Sequence, residues 1–186
     1  EEKLTLVSTD CGVGIKQNSK GNREIWIGAK LHISAVDGDI PITAFYSGAN
    51  VHDSSVALPL MQETSKRVNY LYDLQDAGYD ADIIREFSTT LGHRPIIDTN
   101  PKNSKELKAK IELIEHENKT FKYLNWHLNC DEQHYKQRSM VERVNKYLKD
   151  DFGCDKIYYQ GATKVASVLA FGILSICIHK SLQLVT

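Results

Sequence analysis

Apolar and polar positions alternate from the start of the chain, with Leu4, Leu6, Ser8 and Asp10 on one side and Thr5, Val7 and Thr9 on the other. A period of two predicts a strand. This one ends in a carboxylate, and Gly12 and Gly14 follow as turn signals. Ile25 to Val36 is rich in β-branched residues, Asp37-Gly38-Asp39 makes a turn, and Ile40 to Tyr46 returns, which predicts a hairpin. After the loop Ser47 to Asn50, Asp53 or Ser54 can cap a helix running to about Lys66. Val68 to Gln75 is a further strand, with Val68, Tyr70, Tyr72 and Leu74 on the face of Asp76 and Asp73 on the other. A helix over 81–91 with Ile83, Ile84 and Phe87 apolar, a short strand over 94–99, and a Lys/Glu-rich, solvent-facing helix over 104–118 come next. Residues 120–134 carry no clear period. Tyr135 to Lys149 is strongly helical, Phe152-Gly153-Cys154 breaks it, and an apolar helix over 163–184 closes the chain.

Strands and helices in this order, without internal repeats, predict an α/β fold with a mixed sheet flanked by helices, in one domain over 1–186. Sites in such sheets gather at the C-terminal ends of strands. Asp10 and Asp76 both stand at strand ends.

Tyr135–Lys149 has two faces when wound at about 100° per residue. Val141, Val144 and Leu148, with Met140 at the edge, form a stripe that wants a core. With Glu142 at zero, Tyr135 falls near +20°, Arg138 near −40° and Lys149 near −20°, on a ridge roughly 60° wide, and Lys146 lies close by.

Composition adds little: 186 residues, 41% apolar and 25% charged, are those of an ordinary globular protein. A formal net charge of −1 gives no bulk reason to expect a polyanion partner, so local clusters must carry that argument. Four scattered cysteines without a Cys-x-x-Cys pair read as reduced thiols in a cytoplasmic protein. The run Val165 to Ile178, bracketed by Lys164 and Lys180, reads as a buried helix too short for a bilayer, so no membrane is expected. The opening Glu-Glu, without a Met or signal peptide, reads as a fragment or processed domain.

Asp10, Asp76 and Glu142 together would make an all-oxygen site, the kind that Mg²⁺ or Mn²⁺ prefers. Two such ions, about 3.5–4 Å apart, serve in-line phosphoryl transfer. Arg138 and Lys149 would then position phosphate oxygens. Other residues have blander readings. Asp80 suits a helix cap, and Asp37, Asp39 and Asp53 suit turns and caps. His127, Cys130 and His134 have zinc-compatible spacing but no clear fourth ligand, so a polar loop is the better reading. The lysines over 102–122 alternate with glutamates as on a solvated face, with Lys102 and Lys105 nearest the expected site.

Tyr135, Arg138, Glu142 and Lys149 resemble the Tyr-(2)-Arg-(3)-Glu-(6)-Lys signature of DDE transposases of bacterial insertion sequences. Asp76-Ala77-Gly78-Tyr79-Asp80 is similar to that family's second-aspartate motif. Gly28-Ala29-Lys30-Leu31-His32, Val36-Asp37-Gly38 and Asn50-Val51-His52-Asp53-Ser54 resemble its hairpin and following helix start. Cys11-Gly12 stands where the family usually has Ser-Thr or Gly-Thr. The resemblance implies an RNase H-like fold and metal-dependent cleavage of transposon ends, with transfer of the 3′-hydroxyl into target DNA. It also implies Asp10, Asp76 and Glu142 as ligands of two Mg²⁺ or Mn²⁺ ions. Tyr135, Arg138 and Lys149 would contact DNA, beside Lys146, and the family's N-terminal DNA-binding region would be lacking. A dimer on DNA is expected. The rival expectations are an RNase H-like nuclease without joining activity and a degenerate remnant that only binds DNA.

Overall fold

The computed structural model describes residues 11–17, 21–100, 106, 108–110, 112–113, 116 and 130–185. The expected first strand and Asp10, together with His127, Lys102 and Lys105, lie outside the described residues. The chain divides into two compact units, residues 1–70 with 139–186, and residues 71–138.

The first unit is built on an antiparallel sheet of β1 (Gly12–Gln17), β2 (Arg23–Val36) and β3 (Ile40–Gly48), in that order. Gly12 and Gly14 are not turn residues as expected, but pair with Gly28 and Trp26. The sequence pattern missed this because glycine also serves where a neighbour presses close. A Cβ on Gly14 would stand 2.5 Å from the Trp26 indole. The β2–β3 hairpin forms as predicted, with Asp37–Asp39 turning and Gly38 and Asp39 at positive φ.

Successive residues of β2 serve opposite faces. His32 faces α1 (Asp53–Ser65), donating or accepting at 2.8 Å with Ser47 Oγ, while Asp53 lies 3.8 Å from its other nitrogen and is bound by Lys30 at 3.0 Å. The cap of α1 is His52, not Asp53 or Ser54: its backbone is extended and its Nδ1 accepts the Ser54 N–H at 3.3 Å, while the Asp53 carboxylate is bound by Lys30. Ile33 faces the other way and forms the core with Val144, Leu148 and Ile176. Val144 and Leu148 belong to α4 (Ser139–Asp150), and Ile176 to α5 (Ala162–Val185). Gly172 lets α5 approach closely, since a Cβ there would meet Cys154 Sγ at 2.7 Å and Leu148 at 2.9 Å. Asp39, buried in the hairpin turn, ties these layers together. It accepts from Arg143 of α4 at 2.7–2.8 Å and lies 3.7 Å from Lys180 of α5.

α5 departs from the expectation of a buried helix. Only Gly172 and Ile176 are buried, and Phe171, Leu174, Ile178 and Leu182 are exposed. It continues past Lys180 to 24 residues, so by length and composition alone it is long and apolar enough to cross a membrane, against the expected shortness. The apolar run was too uniform for its period to reveal which side is covered.

The second unit pairs β4 (Tyr72–Gln75) with β5 (Arg94–Ile97) in parallel, Gln75 opposite Ile97. α2 (Asp82–Thr90) makes the crossover and buries Ile84, while Ile83, expected to be apolar-facing, is 57% exposed. The strand predicted from Val68 begins only at Tyr72. The described residues of the Lys/Glu-rich segment are helical and exposed, as expected. α3 (Cys130–Lys136) packs on β4 and β5. The described strands thus form two small sheets, one antiparallel and one parallel, in a mixed α/β architecture.

The helix expected over 135–149 is two helices. Gln137 and Arg138 bond back to His134 and Tyr135 through i→i−3 hydrogen bonds, which close α3. Ser139 then opens α4, its hydroxyl bound by Arg143 at 2.8 Å. Tyr135 therefore belongs to α3, Arg138 to the turn after it, and Glu142 to α4.

Two stability predictions follow from this packing. Leu148→Ala, at a site 2% exposed, costs about 2–5 kcal/mol in denaturant unfolding, and a cost below 0.5 kcal/mol would contradict its place in the core. Burial also holds His32 below its ordinary pKa of about 6.5, so the unfolded chain binds the extra proton first as pH falls. Its contribution is full above that value and is lost on acidification below it. Thermal melts at pH 7.5 and 5.5 are expected to fall more steeply for wild type than for His32→Gln.

Candidate active site

Each unit presents one of the carboxylates expected from the sequence. In the second, β4 ends at Gln75 and Asp76 follows in extended backbone, capping a 3₁₀ turn over Ala77–Tyr79. Its Oδ1 accepts the Gly78 N–H at 2.9 Å. A Cβ on residue 78 would stand 3.0 Å from that oxygen, so a side chain there would displace the carboxylate by a few tenths of an ångström. The Oδ2 of Asp76 takes no hydrogen bond among the described residues, and the side chain is exposed.

The neighbouring acids are engaged in structure. Asp73, on the opposite strand face as expected, is 6% exposed and accepts from Ser88 at 2.6 Å and pairs with His93 at 3.1 Å. Asp80 is not the cap of α2. It binds Arg85 at 2.8 Å and the Asn100 N–H at 2.7 Å, which ties the 3₁₀ turn to the exit of β5.

Asp98 leaves β5 at the same edge as Asp76, since the two strands are parallel and in register. It accepts the Tyr135 hydroxyl. Burial first, then this carboxylate, raises the Tyr135 pKa, so the phenol keeps its proton. The Arg138 guanidinium carbon lies 5.6 Å from the Tyr135 ring centroid. Tyr135 and Arg138 thus belong with Asp76, in the second unit. Sequence reasoning passed over Asp98, although the rule that singled out Asp10 and Asp76, a carboxylate at a strand end, applies to it equally.

In the first unit, α4 turns Met140, Val144 and Leu148 inward and leaves Glu142, Lys146 and Lys149 exposed on the opposite side. The Arg143 guanidinium, hydrogen-bonded to Asp39, holds that carboxyl below the usual carboxylate range. Asp39 is therefore an anchor that sets the rotation of α4, beyond the turn role expected of it. The Glu142, Lys146 and Lys149 part of the predicted ridge is retained.

The donor chemistry suits a hard divalent cation, because Asp76 and Glu142 are exposed carboxylates. Among the described residues no three His, Cys, Asp or Glu side chains stand close enough to share a metal ion. The His134 ring stacks on Tyr72 at 4.1 Å between centroids.

Asp73 and Asp76 should separate cleanly on substitution. Asp73→Ala strips a buried hydrogen-bond acceptor from Ser88 and His93 and costs about 1–3 kcal/mol. Asp76→Asn, which can still cap, is expected to shift stability by no more than about 0.5 kcal/mol. Urea unfolding of both measures this, and the reverse order of losses would contradict the assignment.

A family model described as a transposase DDE domain matches residues 8–178 of the chain. No curated protein and no solved structure matches it.

Proposed function

Since the chain belongs to the transposase DDE domain family, we propose that it is the catalytic domain of an insertion-sequence transposase of the Tyr-Arg-Glu-Lys type. It cleaves DNA at transposon ends and transfers the resulting 3′-hydroxyl into target DNA. The observation that carries this reading is the exposed ridge of Glu142, Lys146 and Lys149 on a helix whose other face is buried. A carboxylate that shares an exposed helix face with two lysines, and is kept at the surface by its helix's own core packing, is suited to a phosphodiester substrate. An antiparallel hairpin sheet, then a parallel pair with an acid at its strand end, then the glutamate helix is an order that supports an RNase H-like fold.

Asp10, Asp76 and Glu142 would hold the two Mg²⁺ or Mn²⁺ ions, which when bound supply charge neutralisation and Lewis acidity at the reacting phosphate. The chain's own cations do the rest. Lys146 and Lys149 neutralise backbone phosphates beside Glu142, and Arg138 offers a planar pair of N–H donors to phosphate oxygens. Tyr135 lies under Arg138 at the Asp76 edge. Joining one element requires two ends, so the working form is a dimer on DNA, in the cytoplasm.

Glu142→Gln is expected to lower Mg²⁺-dependent nicking of end-containing DNA by about 100-fold or more, with DNA affinity unchanged or slightly raised. Equal nicking by wild type and variant would remove Glu142 from the mechanism. Nicking without joined product would favour a nuclease. Binding without either reaction, by wild type supplied with Mg²⁺ or Mn²⁺, would favour a DNA-binding remnant.

A further inference from the structure

α3 has only seven residues, yet its side of the β4–β5 pair is fixed at three positions spaced i, i+3 and i+4, and Arg138 follows just beyond its end. Asp131 accepts from Arg94 at 2.6 Å, His134 stacks on Tyr72, Tyr135 donates to Asp98, and Arg138 lies over the Tyr135 ring. Asp98 stands at the edge that also carries Asp76.

A phenol carries a single O–H. While Tyr135 gives it to Asp98, it has none for a phosphate, and a diester phosphate has no hydrogen to offer in return. A direct grip of phosphate by the Tyr135 hydroxyl, as the signature suggests, would leave the Asp98 carboxylate without its donor and bring two anions together. A guanidinium carries five N–H donors against the phenol's one, so Arg138 can bind a phosphate oxygen while keeping its other contacts, the ring included.

We propose that Asp98 is a positioning residue: by holding the Tyr135 hydroxyl it fixes the ring against which Arg138 rests, and Arg138 makes the phosphate contact. This rests on the reading of the chain as a DNA-processing domain. It assigns Tyr135 a supporting role and adds to the site an acid outside the expected triad.

The test is binding of the whole chain to a linear mixed-sequence DNA duplex over a range of salt, for wild type, Arg138→Gln, Tyr135→Phe, Asp98→Ala and the double variant Tyr135→Phe/Asp98→Ala. Losing one phosphate contact lowers the slope of log affinity against log salt by about one. Arg138→Gln is expected to do this. Tyr135→Phe and Asp98→Ala should each weaken binding about 3- to 10-fold and lower the slope in the same sense. The double variant should be no worse than either single one. Simple electrostatics predicts the opposite sign for Asp98→Ala, because removing an anion near DNA tightens binding. A merely structural role would lower thermal stability without changing the slope. Tighter or unchanged binding by Asp98→Ala with an unaltered slope would overturn the proposal, as would losses that multiply in the double variant. If Asp98→Ala fails to fold, Tyr135→Phe decides alone, and an unchanged slope there overturns it. Wild type that binds no DNA would overturn the functional reading and this inference together. A normal wild type and a weakened Arg138→Gln, with Asp98→Ala unaffected, would overturn this inference only.

Discussion

The rotation of α4 about its own axis is the constraint on which the glutamate half of the site depends. Val144 and Leu148, 0% and 2% exposed, are gripped by Ile33 of the hairpin and Ile176 of α5. At 100° per residue that burial leaves one orientation for the rest of the helix, and in it Glu142, Lys146 and Lys149 face water. A rotation of one residue would expose Val144 and bury a charge, and each of those changes is costly. The hydrophobic stripe therefore sets where Glu142 points.

Asp39 locks that rotation with charge. It sits in the tight turn between β2 and β3 at φ 60, a conformation that Asp tolerates better than most residues, and binds Arg143, next in sequence to Glu142. Lys180 approaches the same carboxylate from α5, and its ammonium lies 4.6 Å from the Tyr147 ring of α4. One buried acid thus connects hairpin, glutamate helix and terminal helix. The second unit solves the corresponding problem differently. There, backbone register does the placing, because two parallel strands in step carry Asp76 and Asp98 to one edge.

Much of this could be read from residue order. The β2–β3 hairpin, the α1 and α2 helices, the apolar stripe of α4 and the strand-end position of Asp76 each follow from a local signal, period or turn chemistry, whereas the capping residues expected for α1 and α2 do not cap them. What escaped depends on partners distant in sequence. The break between α3 and α4 comes without glycine or proline, and the helical period of 135–149 runs through it unchanged. Gly14 looked like a turn until Trp26 was seen to cover it. The exposed side of α5 was hidden in an apolar run with no polar phase. Asp98 ends a strand as Asp76 does, but its bond to a phenol 37 residues away left no local signal. These are tertiary facts, and a local pattern carries no record of them.

The proposed function requires Asp10, Asp76 and Glu142 to meet around divalent ions, and metal-directed backbone cleavage tests that most directly. With Fe²⁺ in place of Mg²⁺, plus ascorbate and peroxide, radicals formed at the bound ion cut the nearest peptide backbone, and the cuts are mapped by mass spectrometry. The account predicts cuts beside all three residues in the DNA-bound protein, all suppressed by excess Mg²⁺. Cuts beside Asp76 with none beside Glu142 would contradict it.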